Sequence, residues 1–202
     1  MSEPGGAAIE ARRQLVAATS NDALIVDLLQ TTNHLSRWLT PIHDLTRLDL
    51  TTRRSQVSVK DLLLGLRDNE VAVYSLMNAI ATQVNPDLDK TPPVLRSPLQ
   101  READARANAL VVMSEFRRVR ESSTSLLRAL PDTAWSRGGY SRSSRDWTIR
   151  ELADSLAVND WEQLGLIDAA LNETGLRGSI AGVSQVARDG LSEPYLAALE
   201  SR

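Results

Sequence analysis

Apolar residues recur at three- and four-residue spacing along four stretches of the chain, the period of a helix that buries one face. The first stretch, 21–39, repeats Leu24, Leu28, Thr32, Leu35 and Leu39, with Ser20 or Asn21 as N-cap and Pro41 as stop. The second, 58–84, opens at the cap residue Ser58 and runs through Val59, Leu62, Leu63, Leu66, Glu70, Val73, Met77, Ile80 and Val84 to Asn85-Pro86. The third, 98–130, carries Ala109, Met113, Phe116, Arg120, Ser123, Leu127 and Leu130 and ends before Pro131. The fourth, 148–172, begins at Thr148 with Glu151 three residues on, a capping-box spacing, and repeats Ile149, Leu152, Leu156, Asp160, Gln163, Ile167 and Leu171. A short helix is expected at 193–201, with Pro194 in its first turn. No stretch shows a convincing strand pattern. Pro, Gly, Ser and Thr concentrate in the connections 40–57, 85–97 and 131–147. The reading is all-α: a four-helix bundle over 21–172 with long connections, a flexible N-terminal segment at 1–20 and a C-terminal extension at 173–202.

Several polar residues interrupt the apolar stripes. At 100° per residue, Glu70 and Arg120 fall near the centres of their stripes, Asp160 and Gln163 fall within the fourth, and Asn159 lies at its edge. Gly65 lies further round the second helix. A buried unpaired charge costs several kcal/mol, roughly, so Arg120 is expected to pair with Glu70 or Asp160. The same residues could instead line a small-molecule pocket between helices.

Composition narrows the chemistry. The chain has 202 residues, enough for a substantial core, and a net charge of -3, which gives no global attraction to nucleic acid. It has no cysteine, which excludes disulfides, a thiol nucleophile and thiolate metal sites, and only two histidines, His34 and His43. A three-histidine metal site cannot be built from one such polypeptide. No apolar run is long enough for a membrane span, and MSEPGGAAIE lacks the basic start and apolar core of a signal peptide. A cytoplasmic protein is the expectation, with no nucleic-acid or membrane partner.

Two stretches, VSVKDLLLGLRDNE (57–70) and WSRGGYSRSSRDWTIRELADSLAVNDWEQLGLI (135–167), joined by FRRVRESSTSLLRALPDTAW (116–135), resemble the DinB/YfiT-like superfamily. The resemblance spans most of 21–172 and implies a DinB-like four-helix bundle, a form in which homodimers are common. It also implies a divalent metal held by three histidines, one in the second helix and two in the last. The matching positions here are Gly65, Asn159 and Gln163, so all three ligands are absent while the residues around them, Leu66, Asp68, Glu70 and Asp160, are kept. Glycine offers no ligand side chain, and neutral amides are poor substitutes for imidazole at zinc or nickel. A hard cation could still use Glu70 and Asp160. Metal-bearing members of the superfamily include thiol-dependent transferases and a mycothiol-dependent isomerase; their chemistry should not be carried over here, and neither metal nor cofactor is expected.

Two functional readings follow. One is a binding or interaction module, for a small molecule or a partner protein, with Gly65, Glu70, Arg120, Asn159, Asp160 and Gln163 around its pocket. The other is an enzyme that works without a metal and uses Glu70 or Asp160 as general acid or base. A secondary feature is the loop 136–147, where Arg137, Arg142 and Arg145 beside two glycines could hold a phosphate or carboxylate. Trp135, Trp147 and Trp161, clustered at the start of the fourth helix, are expected to pack rather than to cage a ligand.

Overall fold

The computed structural model describes residues 4–53, 56–91 and 96–180. Six helices carry the fold: α1 (Pro4–Ala18), α2 (Asn21–Leu39), α3 (Val59–Thr82), α4 (Pro98–Arg106), α5 (Ala109–Ala129) and α6 (Ile149–Glu173). Helices α2, α3, α5 and α6 form the bundle. The caps lie where the sequence places them. Ser20 accepts from the Ala23 N–H, and Ser58 with Asp61 and Thr148 with Glu151 form reciprocal capping boxes.

The core falls into two apolar clusters, and their membership gives the topology. One contains Leu35–Leu39 of α2, Val59–Leu66 of α3, Ala109–Phe116 of α5 and Leu164–Leu171 of α6. The other contains Leu24–Leu28, Val73–Ile80, Leu127 and Ile149–Ala157 of the same helices. Helices α2 and α6 therefore run one way and α3 and α5 the other. Because α3 and α5 are parallel, the backbone must cross the length of the bundle between them, and α4 lies on that connection. Between the clusters, at the level of Leu28, Glu70, Arg120 and Asp160, lies a layer of charge.

Three parts differ from the sequence reading. The third helix is not continuous over 98–130. Ala107 leaves helical geometry, and Asn108 caps a new helix by accepting the Val111 N–H at 3.1 Å. Residues 4–18, expected as part of a flexible segment, form α1. It is tied down by an Arg12–Asp27 ion pair and by Arg150 of α6, whose guanidinium reaches the Val16 and Thr19 carbonyls at 2.8 and 2.7 Å. These carbonyls lie at the end of α1, where Val16 O also accepts the Thr19 N–H at 3.0 Å, so the Arg150 guanidinium caps that helix terminus. A two-residue antiparallel ladder, β1 (Gly138–Gly139) with β2 (Trp147–Thr148), closes the loop before α6. Gly139 is required there, because a Cβ would come within 2.9 Å of both Leu88 and the Pro86 carbonyl. The helix expected at 193–201 lies outside the described residues, as does most of the extension 173–202.

Candidate functional site

The charge layer is built by one residue from each of three helices. Arg120 of α5 grips Asp160 of α6 with both ends of its fork, Nη1 to Oδ2 at 2.5 Å and Nη2 to Oδ1 at 2.9 Å. The same Nη2 donates to Glu70 Oε2 of α3 at 2.6 Å, and Nη1 also donates to the Leu28 carbonyl of α2 at 2.9 Å. Thr31 of α2 adds its hydroxyl to Asp160 Oδ2 at 2.9 Å. All four bundle helices are thus tied at one level by charge-assisted hydrogen bonds. The group is closed off, with exposures of 0% for Glu70, 1% for Arg120 and 3% for Asp160. Burial pushes the Glu70 carboxyl above its ordinary range, against the opposing pull of Arg120.

The other three predicted pocket residues stand apart from this group. Gly65 is exposed, and a Cβ built on it would meet nothing within 4 Å. Asn159 and Gln163 are half-buried, and Asn159 Nδ2 is covered without a hydrogen-bond partner. With a rise of about 1.5 Å per residue, Gly65 lies about 7.5 Å along α3 from the Glu70 level. Sequence winding therefore brings together Glu70, Arg120 and Asp160, while Gly65, Asn159 and Gln163 sit outside the closed layer.

A second network, not anticipated from the sequence, surrounds Arg67 of α3. Its Nη1 and Nη2 hold Asp104 of α4 at 2.8 and 2.9 Å, Nη1 reaches Glu115 of α5 at 2.7 Å, and Nε reaches Asp68 at 2.9 Å. Arg96 grips the same Asp104 carboxylate at 2.6 and 2.9 Å. Hydrogen bonds from Arg67, then from Arg96, hold the Asp104 carboxyl well below its usual range. The signal for Arg67 was present: it follows Leu63 by four residues and so shares its face. Its partner, Asp104, is 37 positions away and could not be read from periodicity.

Beside this network opens a cleft of about 570 Å³ between α3, α4 and the turn at Asp49, lined among others by Asp49, Lys60, Asp61, Leu64, Asp68 and Ala105. Its cations are already engaged. Lys60 donates to the Ala105 carbonyl at 2.9 Å, Arg101 to the Arg96 carbonyl at 2.8 Å, and Arg96 to Asp104. A shallower depression of about 460 Å³ lies on the α3–α5 face around Tyr74 and Arg118. Neither is lined by Gly65, Asn159 or Gln163.

The arginine loop is committed internally. Arg137 donates to the Ala81 and Gln83 carbonyls at 3.1 and 2.9 Å, at the C-terminal end of α3. Arg145 pairs with Glu151 at 2.8 Å and stacks 3.8 Å above the Trp147 ring. Arg142 is exposed, and its backbone N–H donates to Asp89 at 2.7 Å. The loop does hold a carboxylate, but it is the protein's own. Asp89 also accepts the Ser141 and Ser143 hydroxyls at 2.7 and 2.6 Å and the Ser143 N–H at 3.2 Å. These donors lower its carboxyl to about 2, the Ser143 hydroxyl most. Trp135 is buried in the second apolar cluster, and Trp147 and Trp161 pack half-buried against the two clusters. His34 is buried, its ring centroid 6.1 Å from that of Trp38, while His43 is exposed.

The fold is shared with solved structures. YfiT from Bacillus subtilis, described as a probable metal-dependent hydrolase with an unusual four-helix bundle topology, matches with a TM-score of 0.53 at 18% identity, over 85% of this chain and 89% of that one. Two structures of the mycothiol-dependent maleylpyruvate isomerase match with TM-scores of 0.56 and 0.55 at 16% identity, over 74% of this chain. This chain spans 61% of the isomerase's length. No family model matches the sequence, and no curated protein matches it significantly. What these likenesses define is the fold, a four-helix bundle like that of YfiT and the isomerase.

The residues do not fit the metal that the resemblance implies. Gly65 supplies no donor, Asn159 and Gln163 supply only neutral amides, and among the described residues no group of three His, Asp or Glu side chains is placed to hold a metal ion. A hard cation between Glu70 and Asp160 is not favoured either, because the Arg120 guanidinium already occupies that position.

Proposed function

We propose that this protein is a small-molecule-binding module built on the DinB-like bundle, and that the cleft between α3 and α4 is its ligand site. The observation that carries this reading is the closure of the central layer. Glu70 and Asp160, the residues an acid–base enzyme would use, are sealed and bonded to Arg120, so no substrate can reach them. The cleft has the volume of an ordinary ligand pocket and reaches solvent. A homodimer in a cytoplasmic setting belongs to the same proposal and is tested by mass in solution and by localisation of the full-length protein.

The test is a thermal-shift screen of the full-length protein against a metabolite library, repeated on two variants. Ala105→Trp fills the cleft from an exposed position, and Asn159→Ala alters the α6 position next to the central layer. A ligand at about 100 times its Kd adds about 2.7 kcal/mol of stability. The expected result is a hit that Ala105→Trp abolishes and Asn159→Ala leaves intact. The reverse pattern moves the site to α6, and a library with no hit removes the small-molecule reading.

A further inference from the structure

We propose that the charge layer stores a proton: at neutral pH the Glu70 side chain is a neutral carboxylic acid, and Arg120 and Asp160 form the only charged pair in the layer. The argument begins with a count of the groups that face Glu70. From α5 come Arg120 and the Ser123 hydroxyl; from α6 comes Asp160; from α2 come Thr31 and, further out, Asp27, which pairs with Arg12 of α1. Inside the closed layer one guanidinium therefore faces two carboxyl groups, one negative charge in excess, and the more exposed Arg12–Asp27 pair beside it adds none. An ionised carboxylate left over in such a place costs several kcal/mol, roughly, and taking up a proton removes that cost.

Hydrogen-bond geometry decides which carboxyl takes the proton. Asp160 receives three donors, two from the Arg120 fork and one from Thr31, which is the environment of an ionised carboxylate. Glu70 receives one, on Oε2, and its Oε1 is buried with no partner. The Ser123 hydroxyl pulls weakly toward the ionised form, but its hydrogen bond runs to the Val119 carbonyl at 3.3 Å, and Oε1 keeps no partner. Protonation neutralises the layer and removes the charge from a carboxyl oxygen that nothing solvates. The upward push of burial on Glu70 agrees in direction.

The consequence is a native state that binds one more proton than the unfolded state. Stability from this group is fully present below the ordinary carboxyl value of 4.5 and is lost as pH rises through the raised native value. Alkaline conditions place a second negative charge in the layer and loosen the joint that ties the four helices.

The experiment is carbon-13 NMR of the full-length protein with labelled Glu carboxyls, combined with urea unfolding of wild type, Glu70→Gln and Asp160→Asn between pH 5 and 9. The expected spectrum has one Glu carboxyl at the neutral-acid position at pH 7, absent in Glu70→Gln. Glu70→Gln keeps the unfolding constant within about tenfold of wild type at pH 8 and flattens its rise with pH. Asp160→Asn, which strips the charged partner from Arg120, raises that constant by about a hundredfold or more. A Glu70 resonance at the ionised position at pH 7 overturns the proposal without any variant having to fold. So does a Glu70→Gln variant as unstable as Asp160→Asn.

Discussion

Arg120 and Arg67 are both almost fully covered, at 1% and 2% exposure, and each is surrounded by carboxylates. They differ in where those carboxylates stand. The partners of Arg120 have side-chain exposures of 0% and 4%, whereas those of Arg67 have 12%, 38% and 45%. The Arg120 layer is closed at the centre of the bundle, where two carboxyl groups share one guanidinium out of reach of solvent. Around Arg67 the acids reach solvent, and Arg96 joins as a second cation. The two carboxyls therefore shift in opposite directions: burial drives Glu70 upward against the pull of Arg120, while hydrogen bonds from Arg67 and Arg96 hold Asp104 down. What separates the two is the access of the anions to water, not the burial of the cation.

The most direct way to break this comparison is to remove each cation in turn. Arg120→Met leaves two carboxyls in a closed layer with no cation, and it should cost about 3–5 kcal/mol of unfolding free energy. Arg67→Met should cost less, about 1–2 kcal/mol, because its partners can rehydrate and Asp104 keeps Arg96. Urea unfolding of the two variants side by side measures the gap. Equal losses would mean that partner exposure does not control the energetics.

The acid side gives the next effect in size. Asp104 has a depressed carboxyl, so the stability it contributes is present above its ordinary value of 3.8 and is lost as pH falls through the lowered native value. Asp104→Asn should cost about 1 kcal/mol at pH 7 and nothing extra at the acid end. Wild-type and variant stability curves should converge as pH is lowered. Parallel curves down to about pH 2 would show that Asp104 is not ionised in its native pairing.

The two networks were not equally legible in the sequence, for a physical reason. Glu70, Arg120 and Asp160 interrupt apolar stripes near their centres, and helical winding turns an interruption into a direction. Charges pointing to one axis at one level must meet. Arg67 lies beside Leu66 near the stripe edge, where an arginine is ordinary, and its partner sits on α4, whose separation from α5 depends on the cap at Asn108. That cap was readable only as a polar residue within a longer helical pattern. The N-terminal helix was missed for a related reason. Arg12 and Arg150 hold it by individual long-range bonds, and such bonds leave no periodic trace.

The smallest expected effect lies on the turn of α3 that leads into both networks. Gly65 precedes Arg67 by two residues and Glu70 by five, within the helix Val59–Thr82. Glycine inside a helix costs about 0.5–1 kcal/mol relative to alanine, because its unfolded backbone gives up more freedom there. An alanine methyl at 65 would meet nothing within 4 Å, so no clash offsets that gain. Gly65→Ala should therefore raise stability by about 0.5–1 kcal/mol, or about 1–4 °C in Tm for a protein of this size. It should leave binding at the α3–α4 cleft unchanged, since Gly65 does not line it. The informative outcome is the opposite sign. A variant that loses stability or changes oligomeric mass would show that something packs against the open face of α3 in solution. The sealed layer would then have a covered surface beside it, and the contrast between a closed centre and an open flank would have to be redrawn around that contact.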